Sequence, residues 1–193
     1  CLLAVVLCVV ALPARASEMY EQSPMNYSES TPNDAVTRLQ ARLNSGAIKF
    51  SGRDREVLSE LLRELKVPIE SQVLAFSKTS LQRQRISPDH PRAIYFSDEC
   101  YIGWVPGGLI EVVTIDPKLG PIFYQFDPET ARKDGLHSFK RDSDCLRCHG
   151  GTFVRDIPAV FVRSLHTDGN GEMLLQGGST LVDFRTPFTN RWG

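Results

Sequence analysis

Cysteine is scarce in this sequence, and neither sign of charge is in excess. The 193 residues carry a formal net charge of −1 and are 41% hydrophobic, which indicates one or two globular domains and excludes a disordered or fibrous chain. A near-neutral chain lacks the positive surface that binds nucleic acid, so we expect no nucleic-acid partner. No hydrolytic motif linking a nucleophile to a base is visible, and there is no internal repeat.

The one long apolar run lies at the start of the sequence. Residues 1–16, CLLAVVLCVVALPARA, end in the small-residue pattern Ala14-x-Ala16, which is typical of a signal peptide cleaved before Ser17. The run is shorter than the about 20 apolar residues of a membrane-spanning helix. We therefore expect a periplasmic or secreted protein that meets a membrane only if this segment stays uncleaved as an anchor.

The sequence has no initiator Met and no basic residues ahead of the apolar run, and it stops within TPFTNRWG. We expect a longer protein that is cut at both ends, with an incomplete signal peptide. Removal of the signal leaves Cys100, Cys145 and Cys148. Three cysteines cannot all pair within one chain in an oxidising compartment.

Two amphipathic helices are expected after a polar leader, within residues 17–68. The stretch TPNDAVTRLQARLNSG predicts the first, with Thr31 as its N-cap and Gly46 just past its end. The stretch SGRDREVLSELLRELKVP predicts the second, ended by Pro68. The apolar stripes of the two helices are Val36, Leu39 and Leu43, and Val57, Leu58, Leu61, Leu62 and Leu65.

After Pro68 the apolar pattern changes to short β-type runs separated by turn signals. The predicted strands are SQVLAFS, RAIYFS, CYIGWV, LIEVVTI, PIFYQF, AVFVRSL and EMLLQG. The expected fold class is α+β, in which the two N-terminal helices are followed by a strand-rich, mainly antiparallel domain over residues 69–193. An all-helical fold is not expected.

The stretch DCLRCHGG contains Cys145-x-x-Cys148-His149. A chain with five cysteines and four histidines rarely contains this combination by chance. In a c-type haem, two thiols add to the porphyrin vinyl groups and the histidine after the second cysteine binds the iron. The motif therefore predicts covalent haem c on Cys145 and Cys148, with His149 as an axial iron ligand in residues 69–193.

Two other chemistries use the same residues. Cys100, Cys145, Cys148 and His149 form a set of four zinc ligands, although an adjacent Cys-His pair is cramped around one ion. Cys145 and Cys148 alone form a redox disulfide motif, although such motifs need no following histidine. Export is the setting in which haem is attached covalently, so haem is the favoured chemistry.

The motif does not fix the second axial ligand. His137 precedes Cys145 in the nearby stretch KDGLHSFKRDSDC and is the first candidate, because this segment is close enough to fold back over the ring. Other candidates are His90, His166 and Met173, and an open position is the further alternative. Arg147 and Arg155 are candidate partners for the haem carboxylates, with a solvated charged loop as the alternative.

The region from Gln72 to Gly193 resembles a family of exported bacterial proteins with a cytochrome c domain, a single Cys-x-x-Cys-His motif and no firmly assigned role. The likeness lies in SKTSLQRQRISPDHPRAIYFSDECYIGWVPGGLIEVVTIDPKLGPIFYQFD, CLRCHGG and RWG. The resemblance implies that Cys145, Cys148 and His149 hold the haem. Members of the family continue past the RWG stretch, which implies that a second axial ligand can lie beyond Gly193.

These observations lead to one favoured function and two alternatives. We expect an exported monohaem electron carrier that exchanges electrons with redox partner proteins, and therefore a carrier more than an enzyme. The first alternative is a haem enzyme or sensor with an open iron site for nitric oxide, oxygen or peroxide. The second is a zinc-binding exported domain.

Overall fold

The computed structural model describes residues 18–135 and 137–191. The predicted signal peptide over residues 1–16 lies outside these ranges. Within them, no helix is both long enough and apolar enough to cross a membrane.

Helices form in both segments where the sequence predicts them, α1 at Ala35–Asn44 and α2 at Asp54–Glu64. The N-cap of α1 is Asp34, so the prediction of Thr31 is wrong. The Asp34 carboxylate accepts the Thr37 N–H at 2.8 Å, and the Thr37 hydroxyl accepts the Asp34 N–H at 3.0 Å. This capping box satisfies two N–H groups of the first turn. The apolar side chains predicted for the two helices are buried.

Six strands form one sheet in chain order, and every neighbouring pair is antiparallel. They are β1 Val73–Ala75, β2 Arg92–Phe96, β3 Cys100–Trp104, β4 Ile110–Asp116, β5 Gly120–Phe126 and β6 Phe139–Arg141. A separate antiparallel pair contains β7 Val162–Leu165 and β8 Ser179–Val182. Two shorter helices, α3 Pro128–Asp134 and α4 Leu146–His149, flank β6.

The predicted fold class is confirmed, because the chain is α+β with a mostly antiparallel sheet and is not all-helical. The prediction of a strand in EMLLQG is wrong. Met173 forms only an isolated bridge with Thr167, and Leu175–Gly177 is a single 3₁₀ turn. Leu175 is 75% exposed, so this apolar segment has no sheet face to cover it, and the next strand starts only after Gly178 at φ +77°.

The two faces of the sheet have different partners. Along β4, buried side chains alternate with half-buried ones, as successive residues of a strand point to opposite faces. Thr114 donates to Asp34 at the start of α1, so its side of the sheet is called the helix face. Glu111, Val113 and Phe123 lie on the opposite side, which is called the motif face.

The leader, residues 18–33, is part of the folded core. Tyr20 and Tyr27 are only 8% and 2% exposed. The Tyr27 hydroxyl donates to the Pro121 carbonyl oxygen at 2.5 Å, and the Arg141 guanidinium lies 4.4 Å from the Tyr27 ring centre. The leader, both helices and the large sheet therefore share one hydrophobic core.

Candidate functional site

The Cys-x-x-Cys-His motif forms a short helical segment after β6. A 3₁₀ turn at Ser143–Cys145 runs directly into α4, and the Asp142 carboxylate caps it by accepting the Asp144 N–H at 3.0 Å. Cys145 and Cys148 are three residues apart on this segment, so their side chains share one side of it. The segment ends at Gly150, where a Cβ would lie 3.1 Å from the Tyr20 hydroxyl.

His149 is held between two phenylalanine rings. The ring centre of His149 lies 4.8 Å from that of Phe123 on β5 and 4.7 Å from that of Phe161. Its Nδ1 lies 2.9 Å from the Ala159 carbonyl oxygen. A carbonyl oxygen can only accept, so Nδ1 carries the hydrogen and, in the neutral ring, Nε2 keeps its lone pair. Burial lowers the pKa of His149, so the ring is neutral at pH 7.

The two thiols of the motif differ in their surroundings. Cys148 is exposed, whereas Cys145 packs against the hydrophobic core. Burial, followed by the charges of Asp142 and Glu111, raises the pKa of Cys145 to about 12, and its thiol lies 3.7 Å from the Asp142 carboxylate. Cys145 is therefore a protonated thiol, unlike the low-pKa cysteines that attack disulfides.

An ion pair lies on the motif face of the sheet. Arg92 on β2 pairs with Glu111 on β4, and the Glu111 carboxylate also accepts from the Ser80 hydroxyl at 2.9 Å and the Gln82 amide at 3.2 Å. Both charges act on His149, where Arg92 lowers the pKa and Glu111 raises it, each less than burial does. The pair is thus part of the electrostatic environment of the motif.

Cys100 is not brought to the other two cysteines. It is 2% exposed and pairs in register with Thr114, which lies on the helix face. Burial and then the Asp34 charge raise the pKa of Cys100 to about 12. Across residues 18–135 and 137–191, no group of three or more His, Cys, Asp or Glu side chains is arranged to hold a metal ion. The zinc set with Cys100 as a ligand is therefore not assembled.

His137 and His149 lie on opposite faces of the sheet. The His137 ring centre is 5.9 Å from that of Phe50 and 6.5 Å from that of Phe126. Phe126 follows Phe123 by three positions on β5, and side chains an odd number of positions apart point to opposite faces. The structure therefore does not bring the first-choice second ligand to the motif.

The other candidates from the sequence occupy exposed positions. His90 closes a tight turn with Ser87, as expected for the SPDHP stretch. His166 is exposed, with its ring against Gly177, and Met173 is 37% exposed. Arg147 and Arg155 are exposed as well.

The sequence does not single out several residues of the site, among them Tyr20, Arg92, Glu111, Ala159 and Phe161. A charged residue, Glu111, within the apolar run LIEVVTI is an available signal, because a strand interior tolerates Glu only on a polar or partnered face. The contacts of Tyr20 and Ala159 depend on tertiary packing and leave no local pattern.

An open groove of about 510 Å³ lies beside β7 and β8. Its lining residues are Val162, Arg163, Ser164, Val182, Asp183, Phe184 and Arg191. Because none of these lining residues belongs to the motif, we place the candidate site at the motif and not at this groove.

Comparison with known proteins identified no matching family model, no matching curated protein and no matching solved structure.

Proposed function

We propose that the protein is an exported monohaem c-type cytochrome that transfers single electrons through a haem held by Cys145, Cys148 and His149. The observation that carries the proposal is the state of the His149 ring. Its Nδ1–H donates to the Ala159 carbonyl oxygen, which leaves the Nε2 lone pair available to a metal ion. Bound here, a haem supplies one-electron chemistry at its iron.

The two thiols fit covalent attachment. Both are free and lie on the same side of one helical segment. The surroundings of Cys145 disfavour a charged thiolate, since they are apolar and include the carboxylates of Asp142 and Glu111. A thioether is neutral and suits this position, whereas a metal thiolate does not.

The neighbours of His149 orient the ring before any group binds. Phe123 and Phe161 cover its two sides, and the Ala159 carbonyl oxygen fixes the tautomer. Such a partner on the second ring nitrogen orients a metal-binding histidine and raises its basicity. The two phenylalanine rings pack against the imidazole, which is only partly exposed.

The position of His137 supports a second candidate function, which also uses a haem. Since His137 lies against Phe126 on the helix face, it is not available opposite His149. An iron without a second protein ligand binds small molecules such as carbon monoxide, nitric oxide or oxygen. The second candidate function is therefore that of a haem enzyme or sensor with an open iron site.

Optical spectra test both functions. The protein is expressed with a haem-maturation system, washed under denaturing conditions, and measured oxidised and reduced. Sharp reduced α and β bands that survive the wash support the proposal, and a band shift with carbon monoxide selects the open iron site. The matched variants are Cys145→Ser/Cys148→Ser, which loses the haem, and Cys100→Ser, which keeps the spectrum unchanged. A colourless wild type despite competent maturation contradicts the proposal.

A further inference from the structure

Arg92 occupies a space that only a glycine leaves open. Arg92 is on β2 and its guanidinium lies over Gly103 on β3, where a Cβ would come within 2.8 Å of both Cζ and Nε of the arginine. The arginine side chain is one-quarter exposed. The missing side chain at position 103 therefore permits a largely buried guanidinium on the motif face.

The hydrogen bonds of this guanidinium are incomplete. Its Nη2 pairs with Glu111, but Nε is buried without a hydrogen-bond partner among the described residues. Glu111 also accepts from Ser80 and Gln82, so the carboxylate is well supplied with donors. A guanidinium has five N–H donors in a planar fork that matches a carboxylate. The Nε–H of Arg92 is therefore a buried donor without an acceptor, which is rare in folded proteins.

The position of Arg92 relative to the motif differs from that of the other arginines. Its charge acts on His149, and that of its partner Glu111 acts on both His149 and Cys145. Arg147 and Arg155, which the sequence suggested as carboxylate partners, are exposed. A largely buried arginine binds a carboxylate more strongly than an exposed one does, because water screens the exposed charge.

We propose that the Nε edge of Arg92 binds a carboxylate of the group held at Cys145, Cys148 and His149, which for a haem is a propionate. This inference rests on the proposed function, because it needs a carboxylate-bearing group at the motif. Arg92 positions that group while Glu111 holds the guanidinium in place. The ion pair and the propionate bond use different atoms of the same side chain.

The test uses the haem-loaded protein and the propionate bending bands in its resonance Raman spectrum, which respond to hydrogen bonding of the propionates. We expect these bands to shift in Arg92→Gln and in Arg92→Lys, which keeps the charge but has no Nε–H. We expect a smaller shift of the same kind in Gly103→Ala, where the new methyl group displaces the guanidinium. The matched control is Arg83→Gln, which removes the arginine of an exposed ion pair with Glu172 and leaves Arg92 and Glu111 unchanged, so its bands stay at the wild-type positions.

Two outcomes would overturn the inference. The bands could stay unchanged in both Arg92 variants, or Arg92→Gln and Arg83→Gln could give the same shift, which means that the bands respond to the loss of any arginine charge. A shift in Arg155→Gln alone would assign the propionate to the exposed arginine. Failure of the proposed function is seen separately, since the wild type would then hold no covalent haem. If Arg92→Gln does not fold, judged by far-ultraviolet circular dichroism, Arg92→Lys and Gly103→Ala decide.

Discussion

The Nδ1 of His149 lies 2.9 Å from the Ala159 carbonyl oxygen, and the Ala159 N–H donates in return to the His149 carbonyl oxygen at 2.8 Å. Both bonds join the same two residues, so the ring and the backbone after the motif are fixed together. The orientation of the imidazole is therefore a property of the polypeptide fold.

Removal of the Phe161 ring should raise the pKa of His149. In Phe161→Ala the imidazole loses the cover on one side, and burial is the main cause of its lowered pKa. We expect the pKa in the haem-free protein to move up towards the usual value of about 6.5. The folded state should also lose about 1–3 kcal/mol, because the phenylalanine is only half-buried. NMR titration of the histidine ring protons and urea unfolding measure the two effects.

Phe153→Ala is the matched control for this experiment. Phe153 stacks on Phe161 at 6.5 Å between ring centres and is 50% exposed. Its loss should leave the His149 pKa close to that of the wild type. Equal pKa changes in the two variants would mean that general loosening, and not direct cover of the imidazole, is the cause.

The thiols of the haem-free protein should react at different rates. Disulfide reagents react with thiolates, and burial raises the pKa of both Cys100 and Cys145 to about 12. At pH 8 we expect exposed Cys148 to react rapidly and the other two to react slowly in protein without residues 1–16. Cys148→Ser should abolish the fast phase. Two fast equivalents in the wild type would show that Cys145 is open to solvent.

Replacement of Asp34 should destabilise the fold strongly. Its carboxylate accepts from the Thr37 N–H, the Thr114 hydroxyl at 2.8 Å and the Tyr124 hydroxyl at 2.7 Å, and it is 1% exposed. Asp34→Ala removes the helix cap and leaves two buried hydroxyls without their acceptor. We expect a loss of about 2–4 kcal/mol in the free energy of unfolding, measured by urea denaturation.

Thr37→Ala provides the comparison for Asp34. It removes the hydroxyl that accepts the Asp34 N–H but leaves the contacts of Asp34 with the sheet, so we expect a loss of about 0.5–1 kcal/mol. Tyr124→Phe in the Asp34→Ala background should recover part of the stability, because one orphaned hydroxyl is then gone. Equal losses in the two single variants would mean that the carboxylate acts only as a helix cap.

Asp116 should contribute to stability in a defined range of pH. Burial alone would raise the pKa of this carboxyl, but N–H donors from Asn33, Leu119 and Lys118 outweigh burial and lower it. A folded-state pKa below the unfolded value means that the contribution is present above the unfolded pKa of about 3.9 and is lost as the pH falls through the folded pKa. Asp116→Asn should therefore be less stable than the wild type at pH 7, with a gap that narrows below about pH 4.

Urea unfolding of both proteins between pH 7 and pH 2.5 measures this gap. The difference between the two proteins isolates Asp116, since the other carboxyls with lowered pKa are common to both. A gap that stays constant over the whole range would assign the effect of the substitution to packing.

Local periodicity was sufficient to predict the larger elements. The stripes of α1 and α2 and the alternation in β2–β5 are properties of consecutive residues, and each element forms where its pattern lies. The strand β6 contains only three residues and forms by pairing with β5. Three residues are too few to show a strand pattern, so the sequence does not predict this strand. Asp34 caps α1 through a capping box with Thr37, a local signal that the choice of Thr31 missed. Its contacts with Thr114 and Tyr124 depend on the fold and leave no local pattern.

The candidate site likewise has a part that the sequence predicts and a part that depends on the fold. Spacing within the chain was sufficient to single out Cys145, Cys148 and His149. The separation of Cys100 from this group depends on which face of β3 meets the helices, and that is decided by packing of the whole sheet. The Arg92 guanidinium lies over Gly103 on the neighbouring strand, a relationship that exists only after the strands have paired.

The contact between Tyr20 and Gly150 has a consequence for the order of events during biogenesis. Tyr20 belongs to a segment that emerges from a ribosome or a secretion pore long before the motif does. In the folded protein, the Cys145 thiol is packed against the core that includes Tyr20 and Tyr27 of this segment. If haem is attached as proposed, the enzyme that attaches it has only the interval between emergence of the motif and docking of the leader, so haem attachment and folding would compete in time.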